Sequence, residues 1–161
     1  MGRGLQQTLT TGDRAPEVDF SRLDGSAVAL RELVSGGPAL IAFFRADCPT
    51  CQYTLPFLDR LHGGRLQLLA VGQDDARTII EFRRNFGIGQ LLLLRDPGQQ
   101  RYPASNAFGV THVPSMFLVE PDLSISWSSV GFFRSELDNL SEMAGKPIFA
   151  PDEKVPEAKS G

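Results

Sequence analysis

Cysteine, histidine and tryptophan are all scarce in this chain. Its two cysteines, Cys48 and Cys51, are separated by only two residues, too few and too close to staple a fold together. Their use is chemical or metal-binding rather than architectural. The two histidines, His62 and His112, are not paired at ligand spacing, so the further ligands that a tetrahedral zinc site would need are not evident. No apolar run approaches the ~20 residues of a membrane helix, and membrane insertion is not expected. Excess positive charge is missing too. A formal net charge of -3 and a pI near 5.4 offer no cationic surface to phosphate backbones or anionic lipid, so no nucleic-acid partner is expected. The opening stretch MGRGLQQTLTTGDRAP lacks the continuous apolar core of a secretory signal. As given, the chain is expected to be cytoplasmic, or extracytoplasmic if a leader has been removed.

What is present is ordinary for a soluble domain: 42% hydrophobic and 22% charged residues in 161. That length fits one domain able to bury about 70% of the surface its unfolded chain exposes. Residues 1–11 are polar and Gly-rich, and 150–161 are rich in Pro and charge, so both ends are expected to be flexible around a domain at 12–149.

Within that domain, Val18–Leu23 and Val28–Leu30 flank Asp24-Gly25 and predict an N-terminal hairpin, with a helical turn at Arg31–Val34. Pro38–Phe44, PALIAFF, is apolar without alternation, as in a strand buried on both faces. Leu55, Leu58 and Leu61 space a helix that stops at Gly63-Gly64 and should kink at Pro56. Leu66–Val71 predicts another strand, and Ala76–Phe86 a helix closed by Gly87. A third short strand falls at Leu91–Leu94 and a brief helix at Arg101–Phe108, which Pro103 weakens. Ser115–Glu120 and Ser124–Ser129 flank Pro121-Asp122 as a second hairpin, and Ser135–Ala144 forms the last helix with Leu137, Leu140 and Met143 inward. The order implies an α/β fold with a central mixed β-sheet flanked by helices.

Cys48-Pro49-Thr50-Cys51 falls where a buried strand gives way to a helix. The first thiol would then face unpaired backbone N–H groups and the positive end of the helix dipole, which favour the thiolate. The thiolate is the nucleophile of disulfide exchange, so Cys48 is placed to attack a partner disulfide. Cys51, one turn on, is placed to attack the resulting mixed disulfide. The same spacing also occurs in metal sites and between inert buried thiols, and the strand-to-helix context is what favours redox chemistry.

The stretch Gly12-Asp13-Arg14-Ala15-Pro16, the run PALIAFFRADCPTC, and Gly109-Val110-Thr111-His112-Val113-Pro114-Ser115-Met116-Phe117-Leu118 together resemble the TlpA-like/redoxin (AhpC/TSA-related) branch of the thioredoxin superfamily. The likeness covers most of 12–146. It implies a thioredoxin-like fold and a thiol-disulfide oxidoreductase that exchanges electrons with protein thiols and disulfides. An upstream dithiol reductant or oxidant would be its other partner, and the Cys48–Cys51 disulfide would be its only redox group, with no metal or other cofactor. By the same likeness Pro114 would be cis, and Val113, Pro114, Pro49 and Thr50 would border the substrate. The plainer alternative for Pro114 is a trans proline that starts a strand.

Several positions depart from the family pattern. Asp47 replaces the tryptophan common before the first cysteine, and its charge should oppose ionisation of Cys48. Thr54 stands where some members of the branch place a glutamate that assists proton transfer, and Ala42 where thioredoxin has a buried aspartate. Water or Asp47 is left to take the proton of Cys51. Arg45 is placed to steady a Cys48 thiolate, or is simply an exposed strand-end arginine. His112 would lie near the substrate groove, or be a solvated loop residue. Gly87-Ile88-Gly89 follows a helix and is no nucleotide fingerprint. Trp127 and Phe132-Phe133 are expected to serve packing.

Two other functions compete. A thiol peroxidase would share the fold, yet the positions where such enzymes carry a proline and a Thr or Ser hold Ile41 and Arg45. A copper chaperone would suit soft thiolates but usually separates its cysteines by three residues.

Overall fold

The computed structural model describes residues 7–159. Seven strands form one mixed sheet: β1 (Asp19–Arg22), β2 (Ala27–Ala29), β3 (Ala39–Phe44), β4 (Gln67–Gly72), β5 (Leu92–Arg95), β6 (Ser115–Val119) and β7 (Ile125–Val130), in spatial order β2-β1-β5-β4-β3-β6-β7. β3 runs parallel to β4, and β4 to β5, while β6 and β7 add antiparallel on one side and the β1–β2 hairpin on the other. The helices are α1 (Leu30–Val34), α2 (Pro49–Asp59), α3 (Ala76–Phe86), α4 (Pro103–Phe108) and α5 (Arg134–Ala144).

β3 organises the core because side chains of a strand alternate between its faces. Leu40, Ala42 and Phe44 pack with residues of α2, α3 and α5, whereas Ala39, Ile41 and Phe43 pack with residues of α1 and α4. All six residues of β3 are fully buried, which explains why its sequence shows no polar alternation. α3 opens on the Asp75 side chain, which accepts from the Thr78 N–H, and closes on Gly87 in the left-handed conformation.

Three expectations needed correction. Pro103 does not weaken α4; it is the first helical residue, where a missing N–H costs nothing. The turn before it runs through Arg101 and Tyr102, both with positive φ, and the buried Asp96 carboxylate accepts the N–H groups of Ala104 and Ser105. In α5 the inward residues are Leu137, Leu140 and Ala144, and Met143 is exposed, because the apolar stripe follows i, i+3, i+7.

The third concerns the ends of the chain. Residues 150–159, expected as part of a flexible tail, make specific contacts instead. Arg60 forms a forked ion pair with Glu153, Val155 packs against the core, and Arg134 donates its backbone N–H to the Glu157 carbonyl. A two-residue strand β8 (Phe132–Phe133) then pairs antiparallel with β9 (Ala158–Lys159). These partners lie far away in sequence, so composition could not reveal them. At the other end Leu9 donates to the Phe108 carbonyl and Thr8 to that of Gly109. Residues 1–6 and 160–161 of the expected flexible ends lie outside the described residues.

Candidate active site

After Phe44 the chain leaves the sheet through Arg45–Asp47 and enters α2 at Cys48. This short link is pinned on both sides: Ala46 donates its N–H to Asp74 Oδ2 at 2.7 Å, and Gln52 Nε2 donates to the Ala46 carbonyl at 2.9 Å. Cys48 is the N-cap of the helix, with Pro49 at its first turn. An N-cap side chain normally offers an oxygen to the free helical N–H groups; here a sulfur does so. Cys48 Sγ accepts from the Cys51 N–H at 3.1 Å. The same sulfur lies 3.5 Å from the Val113 carbonyl, to which the thiol donates.

The two cysteines are free thiols in unequal settings: Cys48 is partly exposed and Cys51 fully buried. Burial pushes the Cys51 thiol far above its ordinary range. A hydrogen bond with Cys48 also raises it, a hydrogen bond with the Arg45 backbone opposes this, and the charge of Asp47, with that of Cys48 when ionised, adds a smaller upward push. One sulfur is therefore presented to a visitor while the other is kept protonated behind it.

The Val113–Pro114 peptide is cis, and the Val113 carbonyl lies beside Cys48. Ser115 donates its hydroxyl to the His112 carbonyl, and Gly131 donates its N–H to that of Pro114, so both sides of this loop are tied down. Pro49 is exposed, while Thr50 is buried. Arg45 turns to Asp47, with Nε 3.5 Å from Oδ1 in an exposed ion pair. His112 is exposed, its Nδ1 3.0 Å from the Thr111 hydroxyl. Ile41 sits within β3 on the face opposite that of Ala42. Trp127 and Phe132 are buried, whereas Phe133 is exposed.

Sequence reasoning did not find Asp74 and Gln52, which hold the link before Cys48, or the β9 residues near Pro49. Nothing local to those positions marks them. Among the described residues no group of three or more His, Cys, Asp and Glu side chains is placed to hold a metal ion, and no helix is long and apolar enough to cross a membrane.

A thioredoxin-like fold with a cysteine pair at the strand-to-helix junction defines the class. The AhpC/TSA family profile matches residues 11–128, and the chain belongs to that family. No curated protein matches it. Among solved structures it is similar to the thioredoxin domain of a thiol-disulfide oxidoreductase from Bacteroides vulgatus, with TM-score 0.72 and 19% identity over 84% of this chain and 98% of that one. It is also similar to a putative DsbE thiol:disulfide interchange protein from Chlorobium tepidum, with TM-score 0.70 and 21% identity over 84% and 95% of the respective chains. A peroxiredoxin-like protein from Aquifex aeolicus shares the fold at TM-score 0.64 and 17% identity, over 78% of each chain. The solved structures show the shared fold, and the family together with the cysteine pair supports a redox function.

Proposed function

We propose that the protein is a thiol-disulfide oxidoreductase acting on protein disulfides through a mixed disulfide. The observation that carries this reading is the unequal pair: Cys48 partly exposed at the head of α2, and Cys51 buried with its N–H on the Cys48 sulfur. The Cys48 thiolate attacks one sulfur of the substrate disulfide. A new S–S bond joins protein and substrate, and the other substrate sulfur leaves as a thiolate with the bonding pair. Cys51 then gives up its proton and attacks Cys48 Sγ. The Cys48–Cys51 disulfide forms, the substrate departs as a dithiol, and two electrons have passed to it. An upstream dithiol restores the protein; run backwards, the same steps oxidise a substrate. No group beyond the cysteine pair is required.

Val113, Pro114, Pro49 and Thr50 border the approach to Cys48 and are the proposed substrate contacts. Arg45 and Asp47 form an exposed ion pair at its rim, and His112 stands beside the Val113–Pro114 loop. The peroxidase reading draws support from the likeness to the Aquifex protein. Against it, the positions of that pocket hold Ile41, which is wholly buried, and Arg45, which is turned to Asp47, and neither side chain carries the hydroxyl that a peroxide would need.

The test uses insulin as the disulfide probe. Cys51→Ser is expected to accumulate a covalent adduct that dithiothreitol dissolves, Cys48→Ser to form none, and the unaltered protein to reduce insulin catalytically. Absence of adduct, or hydrogen peroxide consumed faster than insulin is reduced, would overturn the assignment.

A further inference from the structure

The C-terminal strand lies against the two residues that separate the cysteines. Pro49 and Thr50, the residues between the cysteines, line one side of a groove, and Ala158 and Lys159 line the other. β9 is held there by pairing with β8, with Phe132 opposite Lys159 and Phe133 opposite Ala158. Lys159 Nζ lies 4.7 Å from the ring centre of Tyr53, two residues beyond Cys51 in α2. That contact positions the ammonium without saturating it, because an aromatic face attracts a cation while leaving its N–H donors for oxygen ligands.

The charges around this groove do not cancel. Arg45 and Asp47 offset one another, and Glu157 faces Arg134 at 3.9 Å. Lys159 takes part in no ion pair among the described residues. His112, on the Val113–Pro114 side, adds positive charge when protonated and never negative charge. A substrate segment lying against Pro49 and Thr50 therefore meets one cation that is unpaired among the described residues.

We propose that β9 forms a wall of the substrate groove and that Lys159 is a specificity-determining residue, selecting disulfides flanked by Asp or Glu. This inference rests on the thiol-disulfide reading and specifies its substrate class.

The test uses short peptides whose single cysteine is joined to thionitrobenzoate, flanked by Asp and Glu in one and by Asn and Gln in the other. Reacting each with the full-length Cys51→Ser chain forms a Cys48–peptide disulfide and expels thionitrobenzoate with the electron pair. The label is common to both peptides, so its own charge cancels in the ratio of second-order rate constants. That ratio is expected to favour the acidic peptide by about three- to five-fold at low salt, the upper part of the range of an exposed ion pair, and to fall toward unity at about 0.5 M salt. Adding Lys159→Gln should bring the low-salt ratio to about one, Lys159→Glu below it, and Lys159→Arg should keep the preference. A ratio near one before substitution, or one undiminished by Lys159→Gln, overturns the proposal. Failure of every peptide to form a mixed disulfide would overturn the underlying thiol-disulfide reading, and this inference with it.

Discussion

The Cys48 sulfur accepts the backbone N–H of Cys51 at 3.1 Å, so the proposed nucleophile is held by the peptide group of its partner. The bond exists only while Cys48 stands outside the helix and Cys51 inside its first turn, which makes the helix start itself part of the site. In the proposed mechanism their unequal burial divides the labour: Cys48 meets the substrate, and Cys51 waits with its proton. Three predictions follow from that division and its surroundings.

Cys51 should make the stability of the reduced protein pH-dependent in the alkaline range. Burial is the main cause holding its thiol above the ordinary 9.0. Below pH 9 both folded and unfolded chains keep the proton, and the contribution is fully present. Above it the unfolded chain releases the proton first, so stability declines as pH rises toward the folded value, by up to about 1.4 kcal/mol per unit. Cys51→Ala should flatten that decline relative to the parent when denaturant midpoints are compared at about pH 8 and 10. Parallel slopes would show that Cys51 is not held protonated.

Asp47→Asn should shift the pH profile of mixed-disulfide release toward lower pH. The Asp47 carboxylate is one of the charges that raise the Cys51 thiol, so its removal makes that thiol more acidic. Because the carboxylate is exposed, the gain in release rate near neutral pH should be about two- to three-fold and shrink with salt. A profile left in place would remove Asp47 from any part in handling the proton.

Thr54→Val should stabilise the protein. Thr54 is fully buried and its hydroxyl has no hydrogen-bond partner among the described residues, so it bears a desolvation cost with no compensating bond. Valine keeps the branched shape without the hydroxyl. A gain of about 1 kcal/mol is expected, which for a chain of this size raises Tm by about 2–4 °C. A fall in Tm would mean that the hydroxyl is satisfied by a buried water.

Much of the fold was legible from local pattern. The unbroken apolar run at β3 announced a strand covered on both faces, and the structure buries every residue of it. The repeat of Ile79, Ile80, Phe82 and Phe86, closed by Gly87, marked α3 through its 3.6-residue period and its left-handed stop, although of these only Ile79 and Phe82 are buried and Ile80 is exposed. The placement of Cys48 at a helix start was readable because a buried strand can end, and a proline can open the next helix, within a few residues of sequence. The contacts made by 150–159 were not readable. A Pro-rich, charged segment has the composition of a free tail whether or not a distant arginine awaits its glutamate, as Arg60 awaits Glu153.

The sequence by itself determined the alternating strand and helix order, the junction at which the cysteines sit, and their two-residue separation, because each depends on neighbours in the chain and on backbone periodicity. Only the tertiary structure decided that the Val113 carbonyl reaches Cys48, that Cys51 is sealed while Cys48 is not, and that Lys159 stands across a groove from Pro49. Those relationships join residues 65 or more positions apart, or depend on what packs above a side chain. Such distances are fixed by how the layers close around the sheet, and no local rule of sequence encodes them.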